Sequence, residues 1–279
     1  MTTSTITLNN GTTIPQLGFG TFQVPAADAV ETVSTALEVG FRHIDTAQGY
    51  QNEAEVGEAI ANSGLARDEV YVTSKLGNNM HARDDVLRSF DETLKKLRLD
   101  KLDLFLIHWP LPTRYDGDFV STWKAMLELV EDGRLTSAGV SNFEPAHLTK
   151  IIDATGVTPV VNQIESHPYF HNDDARRASH SHAIAVEAWG PLAKGKALSD
   201  PVVGDIAAEV GRAASQVVLR WHVQRGNIIF PKSTHRERMM ENMQIFDFEL
   251  TDEQIARIDA LDKGEDGRQG PNPNTFKGM

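Results

Sequence analysis

The chain has 279 residues, a formal net charge of −12 and a 40% share of hydrophobic residues, a size and balance that suit one α/β domain with a sizeable core. So acidic a chain, with one short basic cluster, argues against nucleic-acid binding and against general affinity for anionic membranes. It has no cysteine, which excludes disulfides, zinc-thiolate sites and thiol catalysis.

The opening MTTSTITLNN lacks the charged and apolar regions of a secretory leader, and no apolar run approaches membrane-spanning length, so a cytoplasmic location is expected. TITL and TTIP flank Asn9, Asn10 and Gly11, a tight-turn sequence that predicts a hairpin. Strand-like runs then fall at 16–20, 42–47, 70–76, 102–109, 136–142, 160–165, 183–189 and 227–231. Helical patterns follow them at 26–39, 52–63, 83–98, 119–132, 145–154, 172–181, 202–224 (read as two helices) and 235–242. A further helix, TDEQIARIDALD, opens with Thr251 and the capping-box Gln254.

Eight strand–helix units predict a (β/α)8 TIM barrel with an N-terminal hairpin and an extra C-terminal helix, and residues 1–279 read as a single domain. A doubly wound sheet would announce a dinucleotide site with G-x-G-x-x-G after its first strand, and GFGTFQ lacks the third glycine.

In such barrels the C-terminal strand ends carry the active face. In chain order those ends are Gly20 and Thr21, Asp45, Lys75, His108, Ser141 and Asn142, Gln163, Trp189, and Pro231, Lys232 and Ser233. Asp45, Lys75 and His108 come from three consecutive strands and should be neighbours, with Tyr50 in the loop above them. Asp45 at the end of a buried strand needs a partner, and Lys75 supplies one. The ammonium should face Tyr50 and lower its pKa, making the phenol a proton donor to an oxygen, while a neutral His108 holds that oxygen. Such a site suits reduction of a carbonyl, given a hydride source. Singly, each residue has a plain structural explanation: a supporting ion pair, a loop aromatic, a strand-end histidine. Their convergence on one face is what points to chemistry.

Other candidates are weaker. His180 and His182 are two apart on a helix and point different ways, so no metal site is expected. GPLAKGKA at 190–197 misses a P-loop because Ala197 replaces the hydroxyl, and it reads as a flexible loop over a ligand. Glu53, Glu55 and Glu58 read as a solvated helix face.

PKSTHRERMMEN at 231–242 follows the eighth strand, and Thr234 with Glu237 suggests a capping box. Lys232, Ser233, His235, Arg236 and Arg238 gather at a helix N-terminus, which suits a phosphate monoester. If that phosphate belongs to a dinucleotide, NADPH is favoured over NADH, with Trp189 placed to stack on the nicotinamide. A solvated basic helix end and a core indole are the plain alternatives.

HIDTAQGYQNEAEVGEAI, LDLFLIHWP, GVSNF, NQIESHP and IIFPKSTHRERMMEN together resemble the aldo-keto reductase superfamily, from the hairpin to about residue 262. WGPLAKGK and FPKSTHRERMMEN look closest to the bacterial 2,5-diketo-D-gluconate reductase group. The resemblance implies a catalytic tetrad of Asp45, Tyr50, Lys75 and His108. It implies nicotinamide contacts at Ser141, Asn142, Gln163 and Trp189, with Gly20, Thr21 and Phe230 near the cofactor and a loop at Leu192 and Lys194 over the pyrophosphate. Lys232, Ser233, Thr234 and Arg238 would meet the 2′-phosphate, and Glu241 and Asn242 the adenine. The cofactor implied is NADPH/NADP+, with NADH a weaker alternative; the partner is a small-molecule carbonyl, and a monomer is the family's habit.

Two departures stand out. Gly77 follows Leu76 where many relatives carry Trp, which should widen a pocket formed by Phe22, Gly77, His108, Trp109 and the tail after residue 268. The short tail suggests an open mouth. His235 stands where diketogluconate reductases often carry Arg, which weakens the NADPH preference. Two other classes fit parts of the pattern: a cofactor-binding regulatory subunit resembling potassium-channel β subunits, and a Schiff-base aldolase using Lys75.

Overall fold

Short β-branched and aliphatic runs form eight parallel strands that lie side by side in chain order. They are β3 (Phe19–Gly20), β4 (His43–Asp45), β5 (Tyr71–Leu76), β6 (Leu102–Ile107), β7 (Leu135–Ser141), β8 (Val161–Glu165), β9 (Ala185–Trp189) and β10 (Ile228–Ile229). The sheet closes on itself through a parallel bridge between Leu17 and Ile229. Gly18 N–H donates to Ile229 O at 2.9 Å, and Ile229 N–H to Gln16 O at 3.0 Å. The computed structural model describes residues 4–278; the first three residues of the N-terminal stretch and Met279 of the tail lie outside it.

The predicted hairpin forms from β1 (Thr5–Thr7) and β2 (Thr13–Pro15), with Ile6 opposite Ile14. It closes the N-terminal end of the barrel. Leu8 and Ile14 pack with Leu104, Val161 and Ile228, and Asn10 Nδ2 donates to Ser137 Oγ at 2.9 Å.

Helices α1 (Ala26–Val39), α2 (Glu53–Asn62), α3 (Arg83–Leu97), α4 (Phe119–Glu131), α5 (Pro145–Thr155) and α6 (Asp173–Ser181) each follow one strand. Two helices, α7 (Pro201–Val210) and α8 (Ala214–Gln224), follow β9; α9 (Arg236–Met243) follows β10, and α10 (Asp252–Asp259) is the extra C-terminal helix. The apolar stripe of α1, with Ala29, Val33, Ala36 and Leu37, is buried against the sheet. Ring pairs such as Phe19–Phe41 and Phe90–Phe105 fill the layer between strands and helices, each fully buried ring contributing about 1.5–3 kcal/mol. At Gly57 a Cβ would lie 2.5 Å from the Leu97 backbone, so α2 and α3 can approach this closely only at a glycine.

Thr251 and Gln254 form the expected reciprocal cap of α10, at 3.2 and 3.0 Å. Two local expectations fail. The N-cap of α9 is His235, without a side-chain cap, and Ser233 Oγ instead accepts the His235 N–H at 3.1 Å; Thr234 makes no cap with Glu237. Glu53 does not belong to a solvated face. It is 2% exposed and accepts from Ser74 Oγ at 2.7 Å and Thr93 Oγ1 at 3.0 Å, because α2 docks on β5 and α3. Residues 193–199, in and just after the 190–197 loop, wind into 3-10 turns with Ala193 and Ala197 buried.

Candidate active site

Period-two alternation decides which residues enter the barrel. Along β4, Ile44 joins the outer core while Asp45 points inward; along β5, Ser74 meets Glu53 on the outside while Lys75 points inward. The 3-10 turn Gln48–Tyr50 follows β4 directly and brings Tyr50 back over Lys75.

Lys75, fully buried, donates to both carboxylate oxygens of Asp45 at 2.8 and 2.7 Å, to Thr46 O at 2.9 Å and to the Tyr50 hydroxyl at 3.2 Å. Burial opposes the Lys75 charge, but Asp45 and Tyr50 together outweigh it and hold the ammonium above its usual range. The Tyr50 phenol is pushed up by burial more than Lys75 pulls it down, so the expected lowering is reversed and the phenol stays protonated at neutral pH. The His108 ring meets the Tyr50 ring edge-on at 5.8 Å. Burial, with the charge of Lys75 next, lowers His108 to about 3, which leaves a neutral imidazole.

Asp45, Tyr50, Lys75 and His108 are therefore gathered around one point. The predicted nicotinamide contacts surround it as a linked set. Trp189 Nε1 donates to Asn142 Oδ1 at 2.8 Å, and Asn142 Nδ2 donates to His108 O at 2.9 Å and to Ser141 Oγ at 3.0 Å. Ser141 Oγ donates to Gln163 O at 2.8 Å, and Gln163 Nε2 to Asp45 Oδ1 at 3.0 Å. Thr21 is tied to the same strand end through Asp45 O, at 2.9 Å from its N–H. At Gly20 a Cβ would lie 3.2 Å from Phe230 O, a tight approach between the ends of β3 and β10.

Lys232, Ser233, Thr234 and Arg238 lie together after β10, apart from the tetrad, with Ser233 buried and the other three exposed. Among the described residues Lys232 and Arg238 make no ion pair, whereas Arg236 is engaged by Glu38 at 2.7 Å. Glu241 and Asn242 sit one turn further along α9, and Asn242 is buried. Two unpaired cations beside a helix start fit a phosphate group. Leu192 and Lys194 lie on the 3-10 segment after β9, and Lys194 Nζ reaches Gln269 O at 3.4 Å.

At the mouth, Phe22 is 54% exposed and stands 5.1 Å from the Tyr50 ring. The tail closes the other side: Phe276 packs on Trp109 at 4.4 Å, and Arg114 Nη1 donates to Lys277 O at 2.9 Å. A short tail thus does not leave this side of the mouth open. Gly77 N–H donates to Gln48 Oε1 at 2.7 Å, and a Cβ there would face Gln48 and Asn79 rather than Phe22 or Trp109.

Two buried carboxyls escaped the sequence reading. Glu187, on β9, accepts from Gln163 Nε2 at 2.8 Å. Glu165, at the end of β8, accepts from the N–H groups of Gln269 and Gly270 at 2.6 and 2.9 Å and latches the tail. The available signal was alternation: Glu187 lies two residues before Trp189, and Glu165 two after Gln163, so each shares a face with a predicted site residue.

The family model for the aldo/keto reductase family matches residues 16–263. An aldo-keto reductase of Mycolicibacterium smegmatis is 48% identical over 271 residues, covering 97% of each chain. The methylglyoxal reductase DkgA of Escherichia coli K12 is 42% identical over 275 residues, covering 98% of each. A mutant of Gox0644 solved in complex with NADPH superposes with a TM-score of 0.94 at 43% identity, covering 99% of each chain. A barrel with this arrangement of strand-end residues, matched along nearly its whole length, leaves one assignment: the chain belongs to the aldo/keto reductase family.

Proposed function

We propose that the protein reduces a small aldehyde or ketone, with a bound NADPH supplying hydride from its nicotinamide C4 and Tyr50 supplying the proton to the carbonyl oxygen. It is an NADP(H)-dependent oxidoreductase, as its family and the NADPH complex of its structural relative support. The observation that carries the assignment of Tyr50 is the 3.2 Å contact between its hydroxyl and Lys75 Nζ.

The phenol holds its proton until it is needed, and the adjacent ammonium stabilises the phenolate left behind. Asp45 keeps Lys75 charged and in place. Neutral His108 can donate to the same carbonyl oxygen without competing as an acid, since burial lowers it to about 3. Ser141, Asn142, Gln163 and Trp189 would hold the nicotinamide, and Lys232, Ser233, Thr234 and Arg238 the 2′-phosphate. The residues present fit that group: two cations without ion-pair partners among the described residues at one end, and a polar strand-end set with a partly exposed indole at the other.

A small dicarbonyl is the proposed substrate class, supported by 42% identity to a methylglyoxal reductase and by an aromatic mouth of Phe22, Trp109 and Phe276. A Schiff-base aldolase is disfavoured because such a lysine must lose its proton, and Lys75 is held as an ammonium by two carboxylate oxygens. NADPH oxidation followed with methylglyoxal, simple aldehydes, ketones and keto-sugar acids tests the reading. Turnover led by the small dicarbonyl is expected. Preference for a keto-sugar acid would move the substrate class, and NADPH binding without turnover of any carbonyl would favour a regulatory subunit.

A further inference from the structure

Glu187 lies inside the barrel with no exposed surface, and no step proposed above uses it. It stands in register with Gln163 on the neighbouring strand, one layer below Trp189. Among the described residues its carboxyl makes one hydrogen bond, from Gln163 Nε2 to Oε2 at 2.8 Å, and Oε1 has no partner. Burying a carboxyl for a single hydrogen bond costs more than that bond returns. Stability does not explain its presence.

The same Gln163 nitrogen donates to Asp45 Oδ1 at 3.0 Å. Asp45 pairs with Lys75 and can only accept, so the nitrogen of the amide, not the oxygen, must face it. Both N–H bonds of Gln163 are thereby committed, one to Asp45 and one to Glu187. The amide oxygen has no hydrogen-bond donor among the described residues. With Glu187 removed, one N–H is released and the amide can turn about its last torsion.

We propose that Glu187 is a positioning residue that locks the Gln163 amide so that its oxygen is presented as an acceptor to the carboxamide N–H of the bound nicotinamide. The inference rests on the NADPH site proposed above. Burial, followed by the charge of Asp45, raises Glu187 to about 8, so at neutral pH it orients Gln163 without adding a second charge beside Lys75 and Asp45.

The test compares NADPH with its 3-acetylpyridine analogue, which keeps a carbonyl at that position but has no N–H to donate. Dissociation constants are measured by fluorescence titration for the full-length wild type, Glu187→Leu and Glu187→Gln. One lost hydrogen bond is worth roughly tenfold, so the wild type should prefer NADPH by about that factor. Glu187→Leu should cut the preference below about threefold while leaving analogue affinity nearly unchanged. Glu187→Gln, whose own amide oxygen can still accept from Gln163, should keep most of it. Should the Leu variant fail to fold, Glu187→Thr, too short to reach Gln163, replaces it with the same expectation. An undiminished preference in Leu or Thr, equal weakening toward both cofactors, or no preference in the wild type would overturn the proposal. A wild type that binds neither cofactor would instead reject the NADPH site itself.

Discussion

The Tyr50 hydroxyl rests 3.2 Å from Lys75 Nζ, while the same ammonium grips both oxygens of Asp45. In the proposed mechanism one cation is thus shared between a group that stays charged and a group that stays protonated until it reacts. Burial alone would push both Lys75 and Tyr50 toward neutrality. Asp45 reverses that for the lysine and leaves it for the tyrosine, which is the division of roles a proton donor beside a fixed positive charge requires.

Removing the phenol hydroxyl should remove the proton donor with little effect on cofactor affinity. Tyr50→Phe is expected to lower kcat by about 10²–10⁴-fold, with the NADPH dissociation constant within about threefold of wild type. Steady-state assays and fluorescence titration check the two halves separately; lost affinity with retained turnover would contradict the role.

Lys75 and Asp45 form an ion pair hidden from solvent. Lys75→Met leaves Asp45 with a buried carboxylate and should cost about 3–5 kcal/mol in urea unfolding. Adding Asp45→Asn to it should recover part of that loss, because neither charge then remains buried. A double variant less stable than Lys75→Met would show that the pair is not the source of the cost.

The buried histidines set the acid side of stability. Burial lowers His43 and His222 to about 3 from the usual 6.5. A base depressed on folding binds fewer protons folded than unfolded, so stability is full above about 6.5 and is lost as pH falls toward about 3. Glu187 runs the other way: raised to about 8 from 4.5, its contribution is present below about 4.5 and lost as pH rises to about 8. Glu187→Gln should therefore gain on the wild type by about 1.4 kcal/mol per pH unit between about pH 5 and 8. Urea titrations of both proteins at pH 5, 6, 7 and 8 measure it; a constant difference would place the Glu187 pKa outside this window.

His235 is exposed beside Lys232 and Arg238, neither of which is paired among the described residues. His235→Arg adds a permanent cation with two-pronged phosphate geometry at this helix start. The ratio of kcat/KM for NADPH over NADH should rise several-fold, and an unchanged or lower ratio would reject a phosphate contact there.

The convergence of Asp45, Tyr50, Lys75 and His108 was legible because each ends a short apolar run or follows one closely, and a barrel presents all such ends on one face. The basic cluster after β10 was legible as a local charge reversal in an acidic chain. Glu53 was misread because Glu55 and Glu58 follow it and the three look alike in sequence. Only the docking of α2 on β5 and α3 separates the buried one from its part-exposed neighbours.

The sequence by itself determined the order of strands and helices, the residues at the strand ends and the charge of the loop after β10, because these follow from local periodicity and chain position. Closure of the barrel decided what those residues do to one another. It brought Gln163 between Asp45 and Glu187 and folded Phe276 onto Trp109. It also half-buried Tyr50 beside Lys75, so that burial outweighs a neighbouring cation. Pair distances and desolvation belong to residues far apart in the chain and exist only once the strands have met.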